Sequence, residues 1–200
     1  MLSDFFTEHL AASPVVAILR GYSVTETVNL AIQCWESGIR LVEVPIQSEA
    51  ALEALASVAA HANTTDRLIG AGTVCSPAQV ASADEAGARF VVAPGLFPDA
   101  VRAADAAGLP TLPGVMTPTE SYRALELSLP VQKLFPASAH GPSGLRTLHG
   151  PFPEAQFVAV GGVNADTAQS YLDAGAAGVG IASALNPQSL GRLCALSPHP

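Results

Sequence analysis

Lysine is almost absent: the 200-residue chain holds one, Lys133, against eight arginines. Charge of any kind is sparse, at 13% of residues, and the formal net charge is -8. That balance excludes nucleic acid and anionic membrane as partners for the molecule as a whole, and an anionic small molecule would need local donors. Cysteine is scarce and odd in number. Cys34, Cys75 and Cys194 are scattered, suggest neither a disulfide framework nor a zinc site, and fit a reducing cytoplasm. No apolar run is long enough to span a membrane. The opening MLSDFFTEHLAAS lacks a basic n-region, so a secretory leader is not expected. No linker or low-complexity stretch divides the chain, and one domain over residues 1–200 is expected. Hydrophobic residues make up 49%, which describes a chain with a substantial buried core. A bias toward arginine codons accounts for the missing lysines. It does not account for the survivor's place inside an apolar strand.

A phrase repeats along the chain: a helix end, a glycine, then a short apolar run. It occurs at Gly38 before IRLVEV, at Gly87 before ARFVVAP, at Gly108 before LPTLPGV and at Gly175 before AAGVGI. Each glycine suits the left-handed position that closes a helix. Helix starts are marked by the capping-box patterns Ser23-x-x-Glu26, Ser76-Pro-x-Gln79 and Thr117-Pro-x-Glu120, and by Asn186-Pro187. Val24, Val28, Ala31, Ile32 and Trp35 follow a helical period. Strands are expected near 15–20, 41–46, 68–74, 90–94, 111–115, 131–136, 156–161 and 178–183, with a helix in most gaps and another over roughly 2–12. Eight such units predict a (β/α)₈ barrel with a short N-terminal helix. An open flavodoxin-like sheet would need fewer strands.

Strands in such a sheet should be nearly all apolar. Arg20 in VVAILR, Glu43 in LVEVPI and Lys133 in VQKLFP break that rule, each toward the C-terminal end of its strand. That end of a barrel carries the active site. A buried ammonium is pushed toward the neutral amine, which attacks carbonyl carbon. Lys133 is therefore a candidate nucleophile, with a snorkelling rim residue as the alternative. Glu43 is a candidate proton carrier or a structural counter-charge. Thr73, in GAGT, is either a turn residue or a donor to a substrate carboxylate or an ordered water. Val160-Gly161-Gly162-Val163-Asn164 follows the seventh strand, and Gly180 and Ser183 close the eighth. Glycine loops leading into helix N-termini expose amides to an anion, and barrels often bind phosphate there. The same glycines could simply allow tight packing. No histidine reads as catalytic; His140 is assigned a loop role. No metal-ligand spacing appears.

These phrases resemble the 2-keto-3-deoxy-6-phosphogluconate and -6-phosphogalactonate aldolases, bacterial class I enzymes of sugar-acid catabolism. VAILRG, VEVPIQS, IGAGTV, VAPG, LPGVMTPTE, KLFPASAHGP, AVGGV and GIASAL carry the resemblance over nearly the whole chain. It implies that Lys133 forms an imine and Glu43 shuttles its protons. It also implies that Arg20, Thr73 and the Pro94-Gly95 turn line a keto-acid pocket, and that Gly161, Gly162 and Ser183 hold a phosphate. It further implies a cytoplasmic homotrimer that needs no metal or organic cofactor. Gluconate-type members commonly read EVTLRT where this chain has EVPIQS, so their arginine is Gln47 here. They commonly read T-G-G where this chain has Val160-Gly-Gly. Both departures resemble the galactonate type. The expected substrate is thus 2-dehydro-3-deoxy-6-phosphogalactonate, cleaved to pyruvate and D-glyceraldehyde 3-phosphate, with Val160 touching the substrate. The alternatives are the gluconate epimer, an isomerase or epimerase using Glu43 as base, and a non-catalytic sugar-phosphate-binding barrel.

Overall fold

The computed structural model describes residues 4–62, 67–182 and 185–196. Helix α1 (Phe5–Ala12) comes first. The chain then alternates β1 (Val15–Ile18), α2 (Val24–Glu36), β2 (Leu41–Pro45), α3 (Glu49–Ala62), β3 (Leu68–Gly72), α4 (Pro77–Glu85), β4 (Val91–Val92) and α5 (Pro98–Ala106). After these come β5 (Thr111–Leu112), β6 (Gly114–Val115), α6 (Pro118–Glu126), β7 (Val131–Leu134), α7 (Ala137–His149), β8 (Gln156–Val160), α8 (Ala168–Leu172), β9 (Gly178–Ile181) and α9 (Pro187–Cys194). All pairings are parallel, and the order β5-β4-β3-β2-β1-β9-β8-β7-β6 runs almost around a circle.

The expected fifth strand is split at Pro113. Before it, Val92 pairs with Leu112; after it, Gly114 pairs with Lys133. Proline has no N–H to give the ladder, but its carbonyl still accepts from Lys133 N at 2.8 Å. Gly114 N donates to Gly95 O at 3.2 Å across the same seam. Counting β5 and β6 as one interrupted strand, the architecture is a (β/α)₈ barrel. No helix among the described residues is long and apolar enough to cross a membrane.

The helix boundaries follow the capping chemistry. Gly38, Gly87, Gly108 and Gly175 all take positive φ. Full capping boxes form at Ser23/Glu26, Thr117/Glu120 and Asn186/Ser189. At Ser76 only half a box forms: the Ser76 side chain accepts from Gln79 N, but Gln79 Oε1 accepts from Cys75 N and Ser76 Oγ and not from Ser76 N. The buried face of α2 centres on Thr27, Ala31 and Cys34, with the predicted apolar stripe flanking it. Helix α7 is two segments joined at Gly141, where φ is 63°, and Pro142 opens the second.

Two apolar layers result. One lies between the sheet and the outer helices. The other fills the barrel: Val16, Ile18, Leu41, Phe90, Val92, Leu112, Val131, Val158 and Val160, closed at the N-terminal end by Phe6 and Leu10 of α1. Small residues on β3 and β9 make room for large ones. A methyl at Gly70 would lie 2.2 Å from the Phe90 ring, and one at Gly178 would lie 2.7 Å from Leu10. Such complementarity lets a narrow barrel reach crystal-like density.

Candidate active site

The C-terminal half of the barrel interior is where the apolar filling stops. Glu43 is paired in register with Ile18 and Gly70, and Lys133 with Gly114 and Val158. Paired residues of a parallel sheet share a face, so both side chains point inward with Ile18 and Val158. Glu43 is 1% exposed and Lys133 4%. Oε2 of Glu43 is buried without a hydrogen-bond partner. The ion pairs within 4 Å among the described residues are surface ones, Arg102–Asp99 and Arg192–Asp166. The buried carboxyl and amine therefore share the barrel interior, close enough to act on each other's charge, without forming an ion pair.

Burial sets their protonation. Desolvation raises the Glu43 pKa, and the cationic neighbours Lys133 and Arg20 only partly oppose it. Desolvation likewise lowers the Lys133 pKa; Glu43 opposes this, while Arg20 adds to it. Both groups are driven toward their neutral forms. Such a pair offers an amine nucleophile beside a carboxyl able to give or take a proton. The Lys133 Nζ also lies 5.0 Å from the Phe135 ring centroid.

Space for the carboxyl comes from Gly72, where a methyl would lie 3.0 Å from Glu43 Oε1. Thr73 follows at once, half-buried, with φ 61°. A β-branched residue in that region is strained, at a cost of about 1–3 kcal/mol. Arg20 stands exposed beyond the end of β1 and lines a small cleft of about 190 Å³ with Tyr22 and Gln47. Pro94 and Gly95 form the half-buried turn after β4, tied to β6 through Gly114. Larger concavities lie at the opposite end of the barrel, around Phe6 and Pro130 and around Trp35 and Arg67, away from the ionisable pair.

Gly161 and Gly162 both take positive φ, at 92° and 74°, and fold against the start of α7. Ser138 N donates to Gly161 O at 3.0 Å, and a methyl at Gly162 would meet Ser138 Oγ at 2.7 Å. The expected helix N-terminus does not follow directly. Asn164 instead caps a turn by accepting from Asp166 N and Thr167 N, and α8 begins only at Ala168. Gly180 is buried within β9 and paired to both Val16 and Val160, where a methyl would strike Val160 at 2.7 Å, so it gives room to a neighbour's side chain. Ser183 lies outside the described residues. His140 ends the first segment of α7, with Nε2 buried and without a partner. Among the described residues no group of three His, Cys, Asp or Glu is placed to hold a metal ion.

The family model for KDPG and KHG aldolases matches residues 6–192. The chain belongs to that family. A KHG/KDPG aldolase of Escherichia coli (strain K12) is 32% identical to this aldolase over 164 residues, 82% of this chain and 76% of the relative. The 2-dehydro-3-deoxy-6-phosphogalactonate aldolase of the same strain is 34% identical over 173 residues, 86% of this chain and 84% of the relative. A KDPG aldolase from Legionella pneumophila, solved with pyruvate captured as a covalent carbinolamine, superimposes with a TM-score of 0.79 at 29% identity, covering 93% of each chain. This aldolase is thus a lyase of the class I, KDPG/KHG type. Among its site residues, Gly72, Phe135 and Ser138 were not singled out by sequence reasoning. Phe135 and Ser138 sit inside the phrase KLFPASAHGP, so the signal was present; only the pairing of strands assigns them neighbours.

Proposed function

We propose that this aldolase cleaves 2-dehydro-3-deoxy-6-phosphogalactonate to pyruvate and D-glyceraldehyde 3-phosphate, with Lys133 as the imine-forming residue and Glu43 as its proton carrier. The observation that carries this reading is the buried amine and carboxyl, both driven toward neutrality, inside the C-terminal half of the barrel. The neutral Nζ adds to the C2 carbonyl. The carbinolamine loses water to give a protonated imine, with Glu43 passing the protons. The C4 hydroxyl loses its proton as the C3–C4 bond breaks, and the electron pair of that bond flows into the imine. Glyceraldehyde 3-phosphate leaves, the enamine takes a proton at C3, and water releases pyruvate. In this reading Arg20 and Thr73 face the keto acid, beside the Pro94-Gly95 turn, and Gly161 and Gly162 hold the phosphate. Phosphate binding away from the reacting carbon orients the scissile bond.

The choice of epimer rests on Val160. It ends β8, is 5% exposed, and sits inside the barrel beside Ile18 and Gly180. Gluconate-type relatives commonly place a threonine at this position. A hydroxyl there would supply a hydrogen bond that a valine of nearly the same shape cannot. A site built around such a bond discriminates against the wrong epimer, whereas an apolar wall is more permissive. Useful cleavage of the galactonate compound is expected, and Val160→Thr should move the ratio of kcat/KM toward the gluconate epimer by about 1 kcal/mol. Measuring both epimers with both proteins tests this. A strong preference for the gluconate epimer in the unmodified protein, unchanged by the substitution, would show that Val160 does not set the choice.

A further inference from the structure

The diverted capping box at the start of α4 leads to a residue that the chemistry above does not use. We infer that Gln79 is a positioning residue, which clamps the turn after β3 and holds Thr73 in its strained conformation facing the substrate pocket.

In an ordinary box the N3 side chain returns to the N–H of the cap residue. Glu26 does this at Ser23, and Glu120 at Thr117. Gln79 reaches one residue further back. Its Oε1 accepts from Cys75 N at 2.8 Å, and its Nε2 donates to Thr73 O at 3.4 Å. The amide orientation is fixed by chemistry, because a backbone N–H needs an acceptor and a carbonyl needs a donor. Glutamate, the residue at the Ser23 and Thr117 boxes, can do only half of this. Thr73 O takes a second contact from Cys75 Sγ at 3.5 Å. The carbonyl of the one strained residue on this side of the pocket is thus held from two directions. The amide two residues on is held by the same glutamine.

The physical need for such a clamp is plain. Threonine at φ 61° is of higher energy than in an extended backbone. It persists only where its surroundings over-determine it. Relaxation of the turn would swing the Thr73 side chain, which directly follows the Gly72 position that receives the Glu43 carboxyl. Gln79 touches neither Glu43 nor Lys133 through any hydrogen bond of the structure. Its influence on chemistry therefore passes through Thr73.

The inference rests on the reading of Thr73 as a pocket residue, and the experiment separates the two. The readouts are the KM for pyruvate in C3 proton exchange, kcat, and the amount of pyruvate trapped per chain by borohydride at saturating pyruvate. Gln79→Ala should raise the KM about tenfold, the factor matching roughly 1.4 kcal/mol of lost hydrogen bonding. Trapping should stay near one per chain. Gln79→Glu keeps the acceptor for Cys75 N and loses the donor to Thr73 O, so it should fold like the parent and show an intermediate KM. It also serves if the alanine variant folds poorly. In a Thr73→Ala background Gln79→Ala should add little to the KM. An unchanged KM in both Gln79 variants, or a loss of trapping and kcat at constant KM, would make Gln79 a purely structural cap and overturn the inference. Losses that multiply in the double variant would show that Gln79 acts independently of Thr73, with the same result. A Thr73→Ala protein with normal KM would overturn the pocket reading of Thr73 and the clamp together.

Discussion

Lys133 and Glu43 are ordinary residues whose surroundings change their chemistry. The amine starts from a pKa of about 10.4 in water, and burial brings it down. The rate of pyruvate trapping by borohydride should therefore rise with pH to a midpoint below that of free lysine. Neighbouring charges give the prediction opposite signs. Glu43 raises the Lys133 pKa and Arg20 lowers it. Glu43→Gln should move the trapping midpoint down, and Arg20→Gln should move it up. Movement of both in one direction would mean that these charges do not act on Lys133 as the geometry indicates. Glu43→Gln should also slow C3 proton exchange by roughly two to four powers of ten, the scale of general acid-base catalysis. Near-normal exchange would reduce Glu43 to a counter-charge. These two residues were legible in the sequence because a charge inside an apolar strand needs a reason. The strand through Gly180 was legible too, but its contact with Val160 depends on the pairing of β8 with β9.

At the scale of elements, helix ends and strand positions were legible, and the neighbours each strand residue meets were not. Serine and threonine caps, proline at the first helical position and the closing glycines all act locally, so the sequence states them directly. The break at Pro113 is also written in the chain, yet its meaning depends on which strands flank the seam. The same holds for the glycines of β3. Gly70 and Gly72 look alike in LIGAG, but Gly70 faces the Phe90 ring and Gly72 faces the Glu43 carboxyl. Their alanine variants should fail differently. Gly70→Ala should destabilise the protein by about 1–3 kcal/mol through overpacking, read from denaturant unfolding. Gly72→Ala should lower kcat more than it lowers stability, because the group it displaces is the carboxyl of the proposed proton carrier. Equal stability losses with normal kcat for both would contradict this division of the strand.

For the whole molecule, the fold was readable as a count of repeating units, and closure followed from the count. The anion loop was less so. Gly161 and Gly162 were visible as a pair, but their contact with Ser138 depends on α7 packing beside β8. The chain carries a net charge of -8, so an anionic substrate needs local donors, and Arg20, exposed beyond the end of β1, is placed to be one. The scarcity of lysine makes the central claim easy to test. One measurement decides it: incubation with pyruvate and borohydride, then mass mapping of the adduct. A single three-carbon adduct at Lys133 is expected, absent from a Lys133→Ala protein that keeps its fold. With no other lysine in the chain, the competing amine is the N-terminal one. An adduct confined to that amine, or none at all in an active preparation, would contradict imine chemistry at Lys133.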